Sequence, residues 1–406
     1  MFRRETVRRF GSGVKLLLAR YAMAATVIGL AAACSWVGGP SSGATPAPSA
    51  APDLESVAGY RVLQPGAFIA GFPADPLDMQ SDLLVERGWD LAVGASSGDG
   101  ADEIYVLDTF AKHVLRLDRD GTLRAVIGGP GGGPGEFEDP YSIETDPRGG
   151  VWVADLQAGR LSRFDPDGHM LEELRIPPLT RGFGVLPNGA VLYRKFEGRT
   201  ALLAMQSGDD VVDLAGELPP ELAPDDVRAM WAEYDLEFAA VARDTVVVFR
   251  NTDVRAYGAW RIALDIPSAR IADVTPLAFP AWLTEAIAAQ AEAVARESRE
   301  AGSEGRRPGV TRSVIPFSRG LRSLPEGLWV TPHPTGHFAL TTTIPLTPGD
   351  SATVVARGTR EWGSDCVKVD YAVVGERLVV LCLDQVRVYE LLPGTPDLLP
   401  FTAGSM

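Results

Sequence analysis

IYVLDTFAKHVLRLDRDG at residues 104–121 aligns without a gap on VWVADLQAGRLSRFDPDG at residues 151–168, an offset of 47. Both copies read strand, turn, strand, turn. The first run of each is apolar on both faces (Ile104 to Leu107, Val151 to Ala154), as in a strand covered by other sheets on either side, and it ends on an aspartate, Asp108 or Asp155. The second strands, through Arg116-Leu117-Asp118 and Arg163-Phe164-Asp165, lead into Asp-x-Asp-Gly turns whose glycine supplies the positive φ of a tight hairpin.

Degenerate copies continue downstream. Pro147-Arg148-Gly149 precedes VWV, Pro187-Asn188-Gly189 precedes AVLY, and Pro325-Glu326-Gly327 precedes LWV, so one kind of turn feeds three strands. Apolar runs at Thr245 to Phe249 and Leu378 to Leu383 are followed by strand candidates at Trp260 to Leu264 and Val386 to Leu391. A period in the forties with four short strands per unit is the mark of a β-propeller. Residues 84–392, less a non-repeating insertion at about 276–325, hold about five and a half units of 47. Strand-like residues near Tyr60, Val62, Phe68 and Ile69 would complete the last unit and remove the open edges. The expected fold is all-β: a six-bladed β-propeller with a helical insertion, spanning residues 56–395 and followed by a tail at 396–406.

Residues 128–168 also carry Gly133-x-Gly135-Glu136-Phe137, Pro140, Ile143, Asp146, VWVAD and Arg160-Leu161-Ser162-Arg163-Phe164-Asp165. This stretch resembles the NHL repeat, and the chain is similar to bacterial six-bladed propeller lipoproteins. The resemblance implies a ligand- or protein-binding platform, as in most such relatives, while a minority are metal-dependent lyases or lactonases. The lactonases hold a cation with Glu, Asp and Asn on the axis. The only asparagines here are Asn188 and Asn251, and no such set transfers residue by residue.

Composition supports a folded, frequently turning chain: 46% of the 406 residues are hydrophobic, with 43 Gly and 31 Pro. A net charge of −15 argues against nucleic acid as a partner.

The N-terminus reads as an address. Six basic residues lie within the first 20, followed by an uncharged apolar run from Tyr21 to Ala33, the layout of a secretion signal at 1–33. At 13 residues the run is short for a spanning helix; an uncleaved anchor is the other reading. Ala31 to Ala33 lead into Cys34 and resemble a lipobox, which makes Cys34 the lipidation site; otherwise Cys34 is a bystander beside a cleaved signal. Residues 34–55 then form a Pro/Ser/Ala-rich tether. The chain is expected to be exported and held on the cell envelope as a membrane-anchored, monomeric lipoprotein. Cys366 and Cys382 flank a hairpin-like CVKVDYAVVGERLVVLC and are expected to form a disulfide, the alternative being two buried thiols.

Within the insertion, AWLTEAIAAQAEAVARESREAG sets Leu283, Ile287, Ala291 and Val294 on one helical face. Residues 296–322 then hold seven arginines (Arg296, Arg299, Arg306, Arg307, Arg312, Arg319 and Arg322) against three glutamates. That is a candidate anion patch, or a helix packed on the rim followed by a solvated loop. Val227, Met230, Trp231 and Tyr234 suggest a shorter helix that packs locally.

No catalytic or metal-ligating set is evident. His333 and His337 are spaced as HxxxH, but Pro332, Pro334 and Gly336 oppose the helix a zinc pair needs. Gly128 to Gly135 lacks the Lys and Ser/Thr of a phosphate loop, and no GxSxG elbow occurs. Asp108, Lys112 and His113 in one turn, and Asp155, Gln157 and Arg160 in its repeat, are the candidate ligand-face residues. The aspartates also fit a role in bonding turn backbone. The reading is a non-catalytic propeller that binds a protein or cell-envelope ligand through its loop face without a cofactor. The competing reading is a metal-dependent lyase or lactonase using calcium or zinc on the axis.

Overall fold

The computed structural model describes residues 61–73, 85–95, 102–177, 180, 182–197, 200–220, 222, 236–250, 258–277, 318–324, 327–332, 341–344, 353–355, 368–374, 376–382 and 384–393. They lie in one compact unit, Ala50–Ala403. Among them every regular element is a β-strand. The first strand is β1 (Arg61–Phe72). Then β2 (Gly88–Ala95), β3 (Asp102–Asp108), β4 (His113–Asp118) and β5 (Leu123–Ile127) form one antiparallel sheet in chain order. The next sheet holds β6 (Pro140–Thr145), β7 (Val151–Asp155), β8 (Arg160–Phe164) and β9 (Met170–Arg175), and the one after it β10 (Phe183–Val185), β11 (Val191–Glu197), β12 (Thr200–Ser207) and β13 (Asp210–Asp213). A fourth contains β14 (Leu236–Ala242), β15 (Thr245–Arg250), β16 (Gly258–Asp265) and β17 (Arg270–Pro276).

The remaining strands share a sheet. β18 (Ser318–Leu324), β19 (Gly327–Pro332), β20 (Thr341–Ile344) and β21 (Thr353–Val355) run in order, as do β22 (Lys368–Val374), β23 (Arg377–Cys382) and β24 (Val386–Pro393). β1 joins the two sets, antiparallel to β24 and parallel to β21. The strand-like residues near 60–70 therefore complete the last unit, as their position in the repeat requires.

The leading strands touch in sequence: β2 lies against β6, β6 against β10, β10 against β14, β14 against β18, β18 against β22, and β22 against β2. Four-stranded sheets set around a common centre in this way are the blades of a β-propeller. The core lies between blades. Leu107, Ile127, Phe137, Val153 and Phe164 fill the gap between the β2–β5 and β6–β9 sheets, and Trp152, Leu161, Phe183 and Tyr193 the next one. Ile104, Val106, Leu381 and Val388 join the β2–β5 sheet to the last one. Each fully buried side chain contributes about 1.5–3 kcal/mol. All five residues of β7 are buried, which explains why this strand shows no polar alternation. Close blade approach also needs glycine: a Cβ on Gly184 of β10 would lie 2.8 Å from Cβ of Phe238 in β14.

The helical segment and most of the insertion lie outside the described residues, as do Cys34, the tether and the helix near 227–234. The insertion is narrower than 276–325, since Pro276 ends β17 and residues 318–324 form β18. SRGLRSL has two arginines, a glycine and only two leucines, so its own strand propensity is weak. It is pairing with β19 that makes it a strand.

Candidate functional site

The turns after β3 and β7 are built alike. Gly88, Asp108 and His113 are register partners across β2, β3 and β4, as Pro140, Asp155 and Arg160 are across β6, β7 and β8. Both aspartates are fully buried. The Asp108 carboxylate accepts from the backbone N–H groups of Glu86 (2.6 Å), Arg87 (3.1 Å), Phe110 (3.0 Å) and Ala111 (2.9 Å). Asp155 accepts from Glu138 (2.8 Å), Asp139 (3.0 Å) and Ala158 (3.2 Å). Each therefore ties its own turn to the segment that enters the blade, and Thr109 N–H to Arg87 C=O (3.1 Å) and Leu156 N–H to Asp139 C=O (3.0 Å) reinforce the tie.

The structure places the other candidates differently. Arg160 is buried and faces inward: it donates to Glu136 C=O at 2.6 Å and Gly132 C=O at 3.4 Å, and lies 3.3 Å from Glu173 and 3.7 Å from Asp155. It clamps the glycine-rich loop. That loop is further closed by Phe137 N–H to Gly129 C=O at 2.7 Å, and the Phe137 ring packs on Phe164 with centroids 5.6 Å apart. His113 occupies the position of Arg160 one repeat earlier. It is buried too, with Nε2 lacking a hydrogen-bond partner. Burial holds its pKa below the ordinary 6.5, with the Asp108 charge opposing.

Lys112 is half-buried and sits at φ 57°, a left-handed backbone where the repeat has Gly159 at φ 60°. Gln157 is exposed. Arg319 and Arg322 lie in β18, while Arg296, Arg299, Arg306, Arg307 and Arg312 fall outside the described residues, as does Cys366. Cys382 is fully buried at the end of β23.

At the opposite end of the blades, Asp118, Asp146 and Glu103 are held by neighbouring donors. Asp118 caps its turn through Asp120 and Thr122 N–H groups at 3.0 and 2.9 Å. Asp146 accepts from Arg148 Nε (2.9 Å), Trp152 Nε1 (3.0 Å) and Arg163 Nε (2.5 Å). Burial pushes the Asp146 carboxyl up, but the hydrogen bonds from Arg148 and the charge of Arg163 outweigh it and hold the group below the usual 3.8. Tyr105 Oη donates to the buried Glu103 at 2.6 Å, and burial followed by that carboxylate pushes the phenol well above its ordinary value.

Three residues near the candidate turns escape sequence reading. Phe110, at the tip of the Asp108 turn, is 62% exposed. Trp89 and Tyr141 lie on neighbouring leading strands with ring centroids 5.5 Å apart, and the Arg87 guanidinium stands 5.3 Å from the Trp89 ring. Their only sequence signal is an aromatic near the start of a strand-forming stretch, which is common.

Among the described residues no group of three or more His, Cys, Asp or Glu is placed to hold a metal, and no helix is long and apolar enough to cross a membrane. No protein-family model matches the chain, so the repeat resemblance stands on residues 128–168 alone. Among solved structures, the chain is similar to virginiamycin B lyase from Staphylococcus aureus at 12% identity, covering 76% of this chain and 95% of that one with a TM-score of 0.42. It is also similar to a gluconolactonase from Xanthomonas campestris (11% identity, 75% and 86% coverage, TM-score 0.42). An auxiliary nutrient binding protein from Bacteroides thetaiotaomicron shares 8% identity over 75% of this chain and 70% of its own, with a TM-score of 0.45. None of these likenesses assigns a role to a residue of this chain.

Proposed function

We propose that the chain is an exported, lipid-anchored, six-bladed β-propeller that binds a protein or cell-envelope ligand through the face carrying the Asp108 and Asp155 turns, without catalysing a reaction. The count of six is supported by the cyclic contacts of β2, β6, β10, β14, β18 and β22, with β1 supplying the outer strand beside β24. The observation that carries the binding reading is the state of the two aspartates. Their carboxylates are engaged by four and three backbone amides. They build rigid turns that present Phe110 and Gln157 to solvent, which suits recognition more than acid–base chemistry. Anchoring rests on the basic segment, the apolar run and Cys34. The disulfide rests on spacing: Cys366 lies two residues before Lys368, the register partner of Cys382.

Retention of separated envelope fractions (membrane proteins, peptidoglycan, surface polysaccharide) by the full chain tests binding. A Phe110→Ala, Gln157→Ala double variant is expected to lose retention, and unchanged retention refutes the loop face. Intact mass of the membrane-extracted chain tests Cys34. A full-length mass without added lipid rejects anchoring.

The enzymatic alternative turns on Asp90 and Asp370, which occupy the same register on the adjacent leading strands β2 and β22. Both Asp90 oxygens accept backbone N–H groups, of Leu91 and Ile143, so a metal there would have to displace those bonds. Calcium and zinc titrations of the purified chain decide it: stoichiometric uptake abolished by Asp90→Asn and Asp370→Asn supports a metal-dependent lyase or lactonase.

A further inference from the structure

The leading strands β2, β6 and β22 each carry an extra residue at the same register. Between Gly88↔Asp108 and Asp90↔Leu107 stands Trp89; between Pro140↔Asp155 and Ser142↔Ala154 stands Tyr141; between Lys368↔Cys382 and Asp370↔Leu381 stands Val369. A bulge re-aims the side chain of its extra residue, and bulges are over-represented beside binding sites. Here it falls where the leading strands begin, level with the Asp108 and Asp155 turns, at the central opening of the loop face. Two of the three bulged residues are aromatic and their rings meet at 54°, yet both are only half-buried.

Backbone on both sides of Trp89 is pinned. Asp108 holds the amides of Glu86 and Arg87, and Asp90 accepts from Leu91 N–H at 2.9 Å and, across the blade boundary, from Ile143 N–H at 2.9 Å. Oδ1 of Asp108 binds both Arg87 and Phe110 N–H, which sets the exposed Phe110 turn beside the residue whose guanidinium stands over Trp89. Such a pre-formed surface loses little entropy when a ligand settles on it.

We propose that Trp89 and Tyr141 are the floor of a saccharide site at the central opening, taking an oligosaccharide that bears carboxylates. This rests on the loop-face reading above and names its ligand class. A pyranose ring offers an apolar C–H face to an aromatic ring and a polar rim to its borders. The exposed Arg87 beside Trp89 offers the paired donors that suit a carboxylate. The nearby Asp90 and Asp108 are engaged by amides, leaving Glu86 as the exposed acid beside Arg87. A chain of net charge −15 disfavours polyphosphates and any other polyanion charged at every unit, which leaves an oligosaccharide with widely spaced uronates as the anionic ligand that fits.

The test is calorimetric titration of the full chain with a hyaluronan oligosaccharide, which carries one uronate per disaccharide, and with a neutral maltooligosaccharide of equal length. The uronate is expected to bind. Trp89→Ala and Tyr141→Ala should each weaken it about tenfold, and Arg87→Gln, an exposed change that spares the core, should reduce uronate affinity to that of the neutral oligomer. Trp89→Phe keeps a ring in place and should retain most of the affinity if folding is intact. Absence of uronate binding, equal binding of the neutral oligomer, or unchanged affinity in the Trp89→Ala, Tyr141→Ala double variant overturns the proposal. Loss of the saccharide result while envelope fractions are still retained leaves the loop-face reading standing. Loss of both rejects it as well.

Discussion

Removing the Asp108 carboxylate should open the first blade at its loop end. In Asp108→Ala, four backbone N–H groups at residues 86, 87, 110 and 111 lose their acceptor at once. At about 1 kcal/mol for each lost bond, somewhat more for a charged acceptor, and with water reaching the outer amides, the loss comes to about 3–5 kcal/mol. For a chain of this size that is a fall of about 4–7 °C in melting temperature. Asp108→Asn keeps one acceptor oxygen and turns an NH₂ toward amide donors, so it should lose about 2 kcal/mol. Guanidinium unfolding followed by tryptophan fluorescence reads both variants. Amide hydrogen exchange should show faster exchange at residues 86, 87, 110 and 111 before any effect on β7. Asp120→Ala, on an exposed residue of the opposite turn, is the control. If Asp108→Ala behaves like that control, the carboxylate does not build the turn and the account of the loop face fails.

Four further outcomes are expected. Gly159→Ala should cost about 1 kcal/mol because φ is positive there, whereas Lys112→Gly at the equivalent position should be neutral or slightly stabilising; denaturation midpoints of equal sign would contradict this. His113 has a depressed pKa, so its contribution is complete above pH 6.5 and is lost as pH falls through the lower folded value; His113→Gln should flatten the stability–pH curve below 6.5, and parallel curves at pH 7.5 and 5 would disprove it. Asp146→Asn should cost about 2–3 kcal/mol at neutral pH, and because the folded carboxyl titrates below 3.8 the gap to wild type should close only under that pH, as acid-unfolding midpoints will show. Gly184→Ala should lower the melting temperature by several degrees through blade separation, with Gly129→Ala, which meets nothing within 4 Å, losing less.

The blade rhythm was legible because it is local. An apolar run closed by aspartate, a four-residue turn and a second strand recur at an offset of 47, and the structure returns them as β3–β4 and β7–β8. Asp108 and Asp155 were readable as turn builders for the same reason. The strand β18 was not, because its arginines and glycine carry no strand signal and its pairing with β19 supplies what the side chains lack.

The sequence by itself determined the repeat, its turns and a chemistry poor in His and Cys, since each follows from residues a few positions apart. Tertiary structure alone decided which of those residues face solvent. Arg160 reads as a loop cation, yet it is consumed by carbonyls 24 and 28 residues away. Trp89 and Tyr141, 52 residues apart, read as unrelated strand aromatics until two bulges on neighbouring blades bring their rings together. Pattern within one blade records its own pairing; contact between blades depends on how radial sheets pack around an axis, and no short stretch of sequence encodes that distance.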